Sequence, residues 1–295
     1  LIDPQTALAL CRLCFYAGVI ATYGTGAFTA WLAPKRLGGQ LAVASAGPVN
    51  AAALLALGST IAWLPLEAAT IIGQWPAALD GGTLSVLLFG TAIGKVWLVR
   101  LVLALALAAS LLWRSADRMR TALAALLLAS LALGGHAAMD GDTTRGVLHV
   151  LNHAVHLLSG GFWLGSLLML PACLGRLRNP AECGDAAIAL RRFSRAGHVA
   201  VVLVIASGMV NTFLVLGRWP LDPGSPYQML LAAKIVLVAG MTGLALVNRY
   251  VFVPDTRKQP DRAIARIRAG TYAELALGAG VLALVAFFGL LDPAA

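Results

Sequence analysis

The sequence predicts an all-α, polytopic membrane bundle of about eight transmembrane helices, and three observations predict it. The first is composition: 59% of the 295 residues are hydrophobic and only 12% charged, with a mean hydropathy of +0.82. A soluble domain carries about 25% charged residues and could not hide this much apolar surface. The second is the recurrence of apolar runs near the roughly 20 residues that a span requires. The third is that basic residues gather in alternate connections.

The spans are expected, in order, at about Thr6–Leu32, Pro48–Ile72, Lys95–Trp113, Thr121–Ala138, Leu148–Leu174, His198–Leu216, Tyr227–Val251 and Thr271–Leu291. The segment Thr83–Gly94 (TLSVLLFGTAIG) is apolar but too short to cross. It is expected to be an interfacial or re-entrant helix within a single transmembrane domain that fills residues 1–295. The opening LIDPQTALAL lacks Met and is read as a trimmed start. No separate signal peptide is expected, because the first apolar run is long enough to span and stay.

Lys35, Arg36, Arg114, Arg118, Arg120, Arg176, Arg178, Arg191, Arg192, Arg195, Arg249, Arg257, Lys258, Arg262, Arg266 and Arg268 fall in the even connections. Short basic loops stay in the cytoplasm, so both termini are expected on the periplasmic side of a bacterial inner membrane. The net charge of +9 then needs no nucleic-acid partner; the lipid bilayer is the expected environment. Trp63, Trp75, Trp97 and Trp219 fall near the outer interface, and Trp31 and Trp113 near the inner one.

Of five histidines, three lie in one run, HVLNHAVH: His149, His153 and His156. Their i, i+4, i+7 spacing places them within an arc of roughly 60° on one helix face. His136 stands across a short loop at the end of span four, in GGHAAMDGD, with Met139 beside it. Imidazoles inside a membrane are costly and usually face a bundle interior or a cavity. Neutral imidazole ligates Cu, Zn, Ni and haem iron, and a nearby Met or Cys favours copper. His136, His149, His153, His156 and Met139 are therefore the candidate metal ligands. Cys11 and Cys14, three residues apart on span one, are weaker candidates for soft ligands, with membrane packing as their ordinary role. Cys173 and Cys183 belong near the opposite face, and His198 is read as interfacial.

Arg12, Lys95, Arg100 and Lys234 fall in the outer halves of their spans, where snorkelling or internal pairing is the simple reading and a gate or anion contact the alternative. Arg12, Lys234, Asn211 and Trp163 are the candidate cavity or gate residues; Trp163 follows His156 by seven positions and shares its face. Small residues in SGGFWLGS (Ser159–Ser166) permit close helix approach. Glu274 is either an interfacial acid or a proton-coupling group.

The runs GHAA (Gly135–Ala138), HAVHLLSGGFWLGSLLMLP (His153–Pro171), RRFSRAGHVAVVLVIASGMVNTFLVLG (Arg191–Gly217) and PYQMLLAAKIVLVAGMTGLALVNRYVFVP (Pro226–Pro254) resemble the CopD/PcoD (YebZ-like) copper-resistance inner-membrane family. The resemblance covers about residues 90–295 in order and spacing, and residues 1–90 in hydropathy. It implies a copper-homeostasis protein of eight spans that works beside a CopC-like periplasmic copper-binding protein. Its pattern is carried by His136, His149, His156, Trp163, Asn211, Lys234 and Asn248. The position of His153 is often acidic in that family, so this chain is richer in nitrogen.

Three functions remain open at this point. In the first, copper ion binds the periplasmic-side histidines and crosses the membrane or passes to a partner. In the second, haem b makes the chain a transmembrane metal or quinone reductase. In the third, the cluster senses copper or docks a carrier. No P-loop and no Ser/His/Asp arrangement is present, so a transporter or binding protein is favoured over an enzyme.

Overall fold

The structure is a computed structural model and describes residues 2–113, 117–134, 143–217, 222, 224–255 and 258–291. Among the described residues there are helices and turns and no strand. Helix α1 (Pro4–Ala27) runs into a π-helical turn at Phe28–Leu32, and α2 covers Lys35–Ile72. A short α3 (Gly81–Gly90) precedes α4 (Ala92–Ala109) and α5 (Asp117–Ala129), which a 3-10 turn extends to Leu133. Then come α6 (Thr144–Leu167), α7 (Leu170–Arg176) and α8 (Cys183–Leu216). Helix α9 (Pro226–Val247) passes through a π turn at Asn248–Phe252 into α10 (Val253–Asp255), and α11 (Pro260–Phe288) closes the chain.

Local chemistry sets these boundaries. Asp3 accepts from the Thr6 backbone N–H at 2.9 Å and Pro4 opens α1, a capped start with preset φ. Asp80 caps α3 by accepting from the Thr83 N–H at 2.7 Å, and Thr143 caps α6 through the Gly146 N–H at 3.1 Å. Two caps sit outside the spans, and the Thr6 and Thr83 hydrogen bonds hold the Asp3 and Asp80 carboxyls below the usual carboxylate range. Helices α2 and α8 stop where Gly73 (φ 77°) and Gly217 (φ 64°) turn left-handed, a conformation that suits a residue without Cβ.

Among the described residues six helices are long and apolar enough to cross a membrane, and a seventh crossing is made if the bent pair α6–α7 counts as one span. The pair bends by 43°, and Pro171 at the second position of α7 has no N–H to return to the preceding turn. The expected span at Thr121–Ala138 is described only to Gly134; its remainder, with His136 and Met139, lies outside the described residues. The short apolar helix expected at Thr83–Gly94 is α3, and it ends earlier, at Gly90. Thr91 is the reason: its hydroxyl accepts from the Gly94 N–H at 3.2 Å and donates to Leu87 O at 2.6 Å, so it caps a new helix.

Helix α1 is the centre of the bundle. In its most apolar stretch 61% of the residues are buried, against 11% in α9, and it packs on α2, α5, α6 and α11. Two seams explain how it fits. Gly18 faces the backbone of Ala52 and Ala56 on α2, and Gly24 faces Gly165 and Ser166 on α6 so closely that a Cβ on either glycine would strike backbone. Ser166 Oγ then donates to Gly24 O at 3.1 Å. The small-residue run of α6 is therefore a packing face, as its composition suggests.

Candidate functional site

The histidine run occupies the second to fourth turns of α6, and the neighbour it meets is α8. His156 Nδ1 lies 3.1 Å from Val204 O and 3.0 Å from Ser207 Oγ. Asn152 Nδ2 donates to Ser207 O at 2.9 Å and to Asn211 Oδ1 at 2.8 Å. Asn211 Nδ2 points at His153 Nδ1, 3.2 Å away. The rings of His153 and His156 are nearly parallel, at 10°, with centroids 6.4 Å apart.

This chain of contacts assigns the protons. A carbonyl oxygen only accepts, so the Asn152 amide must present nitrogen to Ser207 O. Asn211 then presents oxygen to Asn152 and nitrogen to His153. An amide nitrogen only donates, so His153 Nδ1 accepts, and a neutral His153 carries its proton on Nε2. At His156 the carbonyl of Val204 requires the proton on Nδ1, which leaves the Nε2 lone pair available. The two neighbouring imidazoles are thus held in opposite tautomers. One ring nitrogen of His156 is tied to a carbonyl, as is common in metal-ligating histidines, and the other has no hydrogen-bond partner among the described residues. The lone pair of His153 is engaged by Asn211.

His149, one turn nearer the start of α6, is 2% exposed. Among the described residues no three His, Cys, Asp or Glu side chains lie close enough together to hold a metal ion. The face of α8 opposite the run offers Val204, Ser207 and Asn211, not a second histidine that could be the other axial ligand of a haem.

The remaining candidates scatter. Trp163 is buried in an apolar cluster with Phe28, Leu32 and Leu167, where packing occupies it. Lys234 stands with Nζ 5.8 Å from the Phe288 ring centroid and within electrostatic reach of His156. Arg12 donates from Nε to Tyr16 Oη at 3.1 Å and from Nη1 to Gly289 O at 3.1 Å, capping the end of α11. Cys11 Sγ donates to Ser59 O at 3.1 Å, facing α2 and not the histidines. All four cysteines are free thiols. His198 is exposed, with Nδ1 2.6 Å from Ser194 O and Nε2 3.3 Å from Tyr250 Oη.

Two polar pieces escape a search for metal-ligating residue types. Ser207 holds His156, and Asn152 holds the Asn211 amide that reaches His153; their signal is positional, since Asn152 lies within the histidine run and Ser207 and Asn211 are four apart on one face of α8. Toward the other end of α9, Asn248 Nδ2 donates to the buried Glu274 Oε1 at 2.7 Å, at the start of the π turn. π turns interrupt helices mostly where function needs them.

Residues 2–147 match the N-terminal domain of copper resistance protein D-like proteins, and residues 187–288 match copper resistance protein D. The inner membrane protein YebZ of Escherichia coli (strain K12) is 33% identical over 288 residues, 96% of this chain and 97% of that protein. Copper resistance protein D of Pseudomonas syringae pv. tomato is 32% identical over 83% of each chain. Copper transport protein CutJ of Bacillus subtilis (strain 168) is 28% identical over 76% of this chain and 42% of its own length. No solved structure matches.

Proposed function

Since the chain belongs to the copper resistance protein D family and is a multi-pass inner-membrane protein, we propose that it takes copper from the periplasmic side and moves it across the bilayer or hands it to a partner. The observation that carries this reading is the ring of His156 locked through Nδ1 by Val204 and Ser207, which leaves the Nε2 lone pair unused. His149 and His153 lie on the same run, and His136 and Met139 complete the ligand set from the adjoining loop, with Cys11 and Cys14 as secondary soft ligands. Copper is the cargo here, and a borderline or soft ion suits imidazole with thioether.

The whole chain acts as one transmembrane domain of eight spans, both termini periplasmic, which puts the histidine run at the periplasmic face. A CopC-like periplasmic protein is the donor or acceptor. The name of the Bacillus relative, a copper transport protein, supports movement over storage. With no ATP-binding motif in the sequence, a gradient or the hand-off itself supplies the drive.

Metal analysis with an optical spectrum on the purified, detergent-solubilised chain tests this. Copper bound near stoichiometry, without a Soret band, and lost in a His149/His153/His156→Ala variant is the expected outcome. A Soret band that sharpens on reduction makes the chain a redox protein instead. No copper even after loading leaves the histidines as structural residues.

A further inference from the structure

A second polar centre lies away from the histidines, between α1, α2 and α4. Arg100 is 8% exposed, in the middle of α4, and its guanidinium carbon sits 4.9 Å from the centroid of Trp63 on α2. Arg12 of α1 approaches the same indole at 5.7 Å. Tyr16 and Trp63 meet edge to face, with centroids 6.5 Å apart, so the aromatic wall is continuous. Glu67 is the acid within reach, and its Oε2 accepts from Trp63 Nε1 at 3.0 Å.

The charges do not balance. Neither Arg12 nor Arg100 forms an ion pair among the described residues. Two guanidinium groups face one carboxylate, which leaves an excess of one positive charge. Arg100 Nε is buried with no hydrogen-bond partner. Arginine stays protonated at any working pH, so the excess cannot be removed by titration. A buried charge without a counter-ion costs several kcal/mol in a membrane interior. Cation–π contact with one shared indole offsets part of that cost and does nothing for the mutual repulsion. Gly134 packs against the fork, so that even a Cβ there would stand only 3.2 Å from Arg100 Nη2.

We propose that Arg100 and Arg12, over Trp63, form a binding site for a phosphate-type oxyanion. A singly charged oxyanion cancels the excess charge. Its several oxygens can receive the Arg100 fork and the one Arg12 nitrogen that Tyr16 and Gly289 leave over, which a halide cannot match. The centre lies at the level where α5 and α11 end, since Arg12 binds the Gly289 carbonyl and Arg100 abuts Gly134. That is a depth where a lipid phosphodiester or free phosphate can reach. This site is separate from the proposed copper path and does not depend on it.

The test uses the full chain in detergent, with the wild type, Arg100→Gln and Arg100→Lys. Native mass spectrometry on the protein as purified reads retained phospholipid. Titration with inorganic phosphate after delipidation, followed by tryptophan fluorescence with Trp63→Phe as control, reads the free ion. A tightly held phospholipid in the wild type, lost in Arg100→Gln, establishes the headgroup as the source. Phosphate binding that quenches Trp63 after delipidation, without retained lipid, establishes the free ion. Arg100→Lys keeps the charge but not the fork, folds if charge is what the bundle needs, and is expected to bind about tenfold more weakly, or 1.4 kcal/mol. Copper binding is unchanged in each. A wild type that holds neither ligand, or an Arg100→Gln that holds them equally well, overturns the proposal.

Discussion

Helix α6 makes two seams of opposite character, and the contrast shows how this bundle separates shape from chemistry. Its second half meets α1 through Gly165 and Ser166, where backbone nearly touches backbone. Its first half meets α8 through Asn152, His153 and His156 against Val204, Ser207 and Asn211. In lipid no hydrophobic force drives helices together, so close packing and interhelical hydrogen bonds must do it. The glycine seam has no spare lone pair and can only position. The polar seam spends its hydrogen bonds on holding the imidazoles and leaves the Nε2 lone pair of His156 unused. The first seam fixes where α6 stands; the second fixes how its imidazoles are turned.

The largest effect expected from breaking this contrast is at the glycine seam. Gly165→Leu would drive a side chain into the α1 backbone near Ile20 and Gly24. Overpacking of a tight core costs about 1–3 kcal/mol and more where backbone cannot yield. Loss of monodisperse protein in fluorescence-detected size exclusion, with copper unable to rescue it, is the expected outcome; a stable, copper-binding Gly165→Leu would show that the seam is looser than its geometry.

The polar seam should respond in chemistry more than in stability. Asn211→Leu removes the donor to His153 and the acceptor of Asn152. Interhelical hydrogen bonds in membranes average about 0.6 kcal/mol, so the melting temperature should fall only slightly. Because the lone pair of His153 is released, copper affinity should rise, while His156→Ala lowers it about tenfold, or 1.4 kcal/mol, and more than His153→Ala does. Calorimetric titration of the three variants gives the ranking, and equal losses from the two histidine variants would contradict the opposite tautomers.

The smallest effect lies outside both seams, in the loop before α8. Arg176 Nη1 sits 3.0 Å from Glu182 Oε2, and this hydrogen bond holds the Glu182 carboxyl below the usual range, with Asn179 and Arg36 adding to it. A depressed carboxyl favours the folded state above its unfolded pKa of about 4.3. That contribution is lost as the pH falls through the lower, folded value. Thermal unfolding of Glu182→Gln should therefore match the wild type at the acid end and fall below it at neutral pH; a uniform offset at all pH values would trace the effect to packing instead.

Hydropathy read where the chain becomes apolar, but helices extend further. The expected spans began at Pro48, His198 and Thr271, whereas the helices begin at Lys35, Cys183 and Pro260. Charged residues interrupt a hydrophobic run without interrupting backbone hydrogen bonds, so a span boundary and a helix boundary are different physical events. The expected uninterrupted span over Leu148–Leu174 bends, because Pro171 removes a donor that hydropathy does not register. In the same way, residue type singled out His149, His153 and His156 and overlooked Asn152 and Ser207, whose importance comes from what they face.

The sequence by itself determined that the chain is a helical membrane protein of a copper-linked family, that three imidazoles share one face, and that small residues line the helix below them. Those properties depend on composition and on the 3.6-residue period, which are local. Tertiary structure alone decided which helix the histidines meet, which ring nitrogen each one spends, and that Arg12 and Arg100 gather on a single tryptophan without an ion pair. A hydrogen bond across helices depends on the rotation and depth of two segments 48 to 59 residues apart in the chain, and no property of either segment contains it.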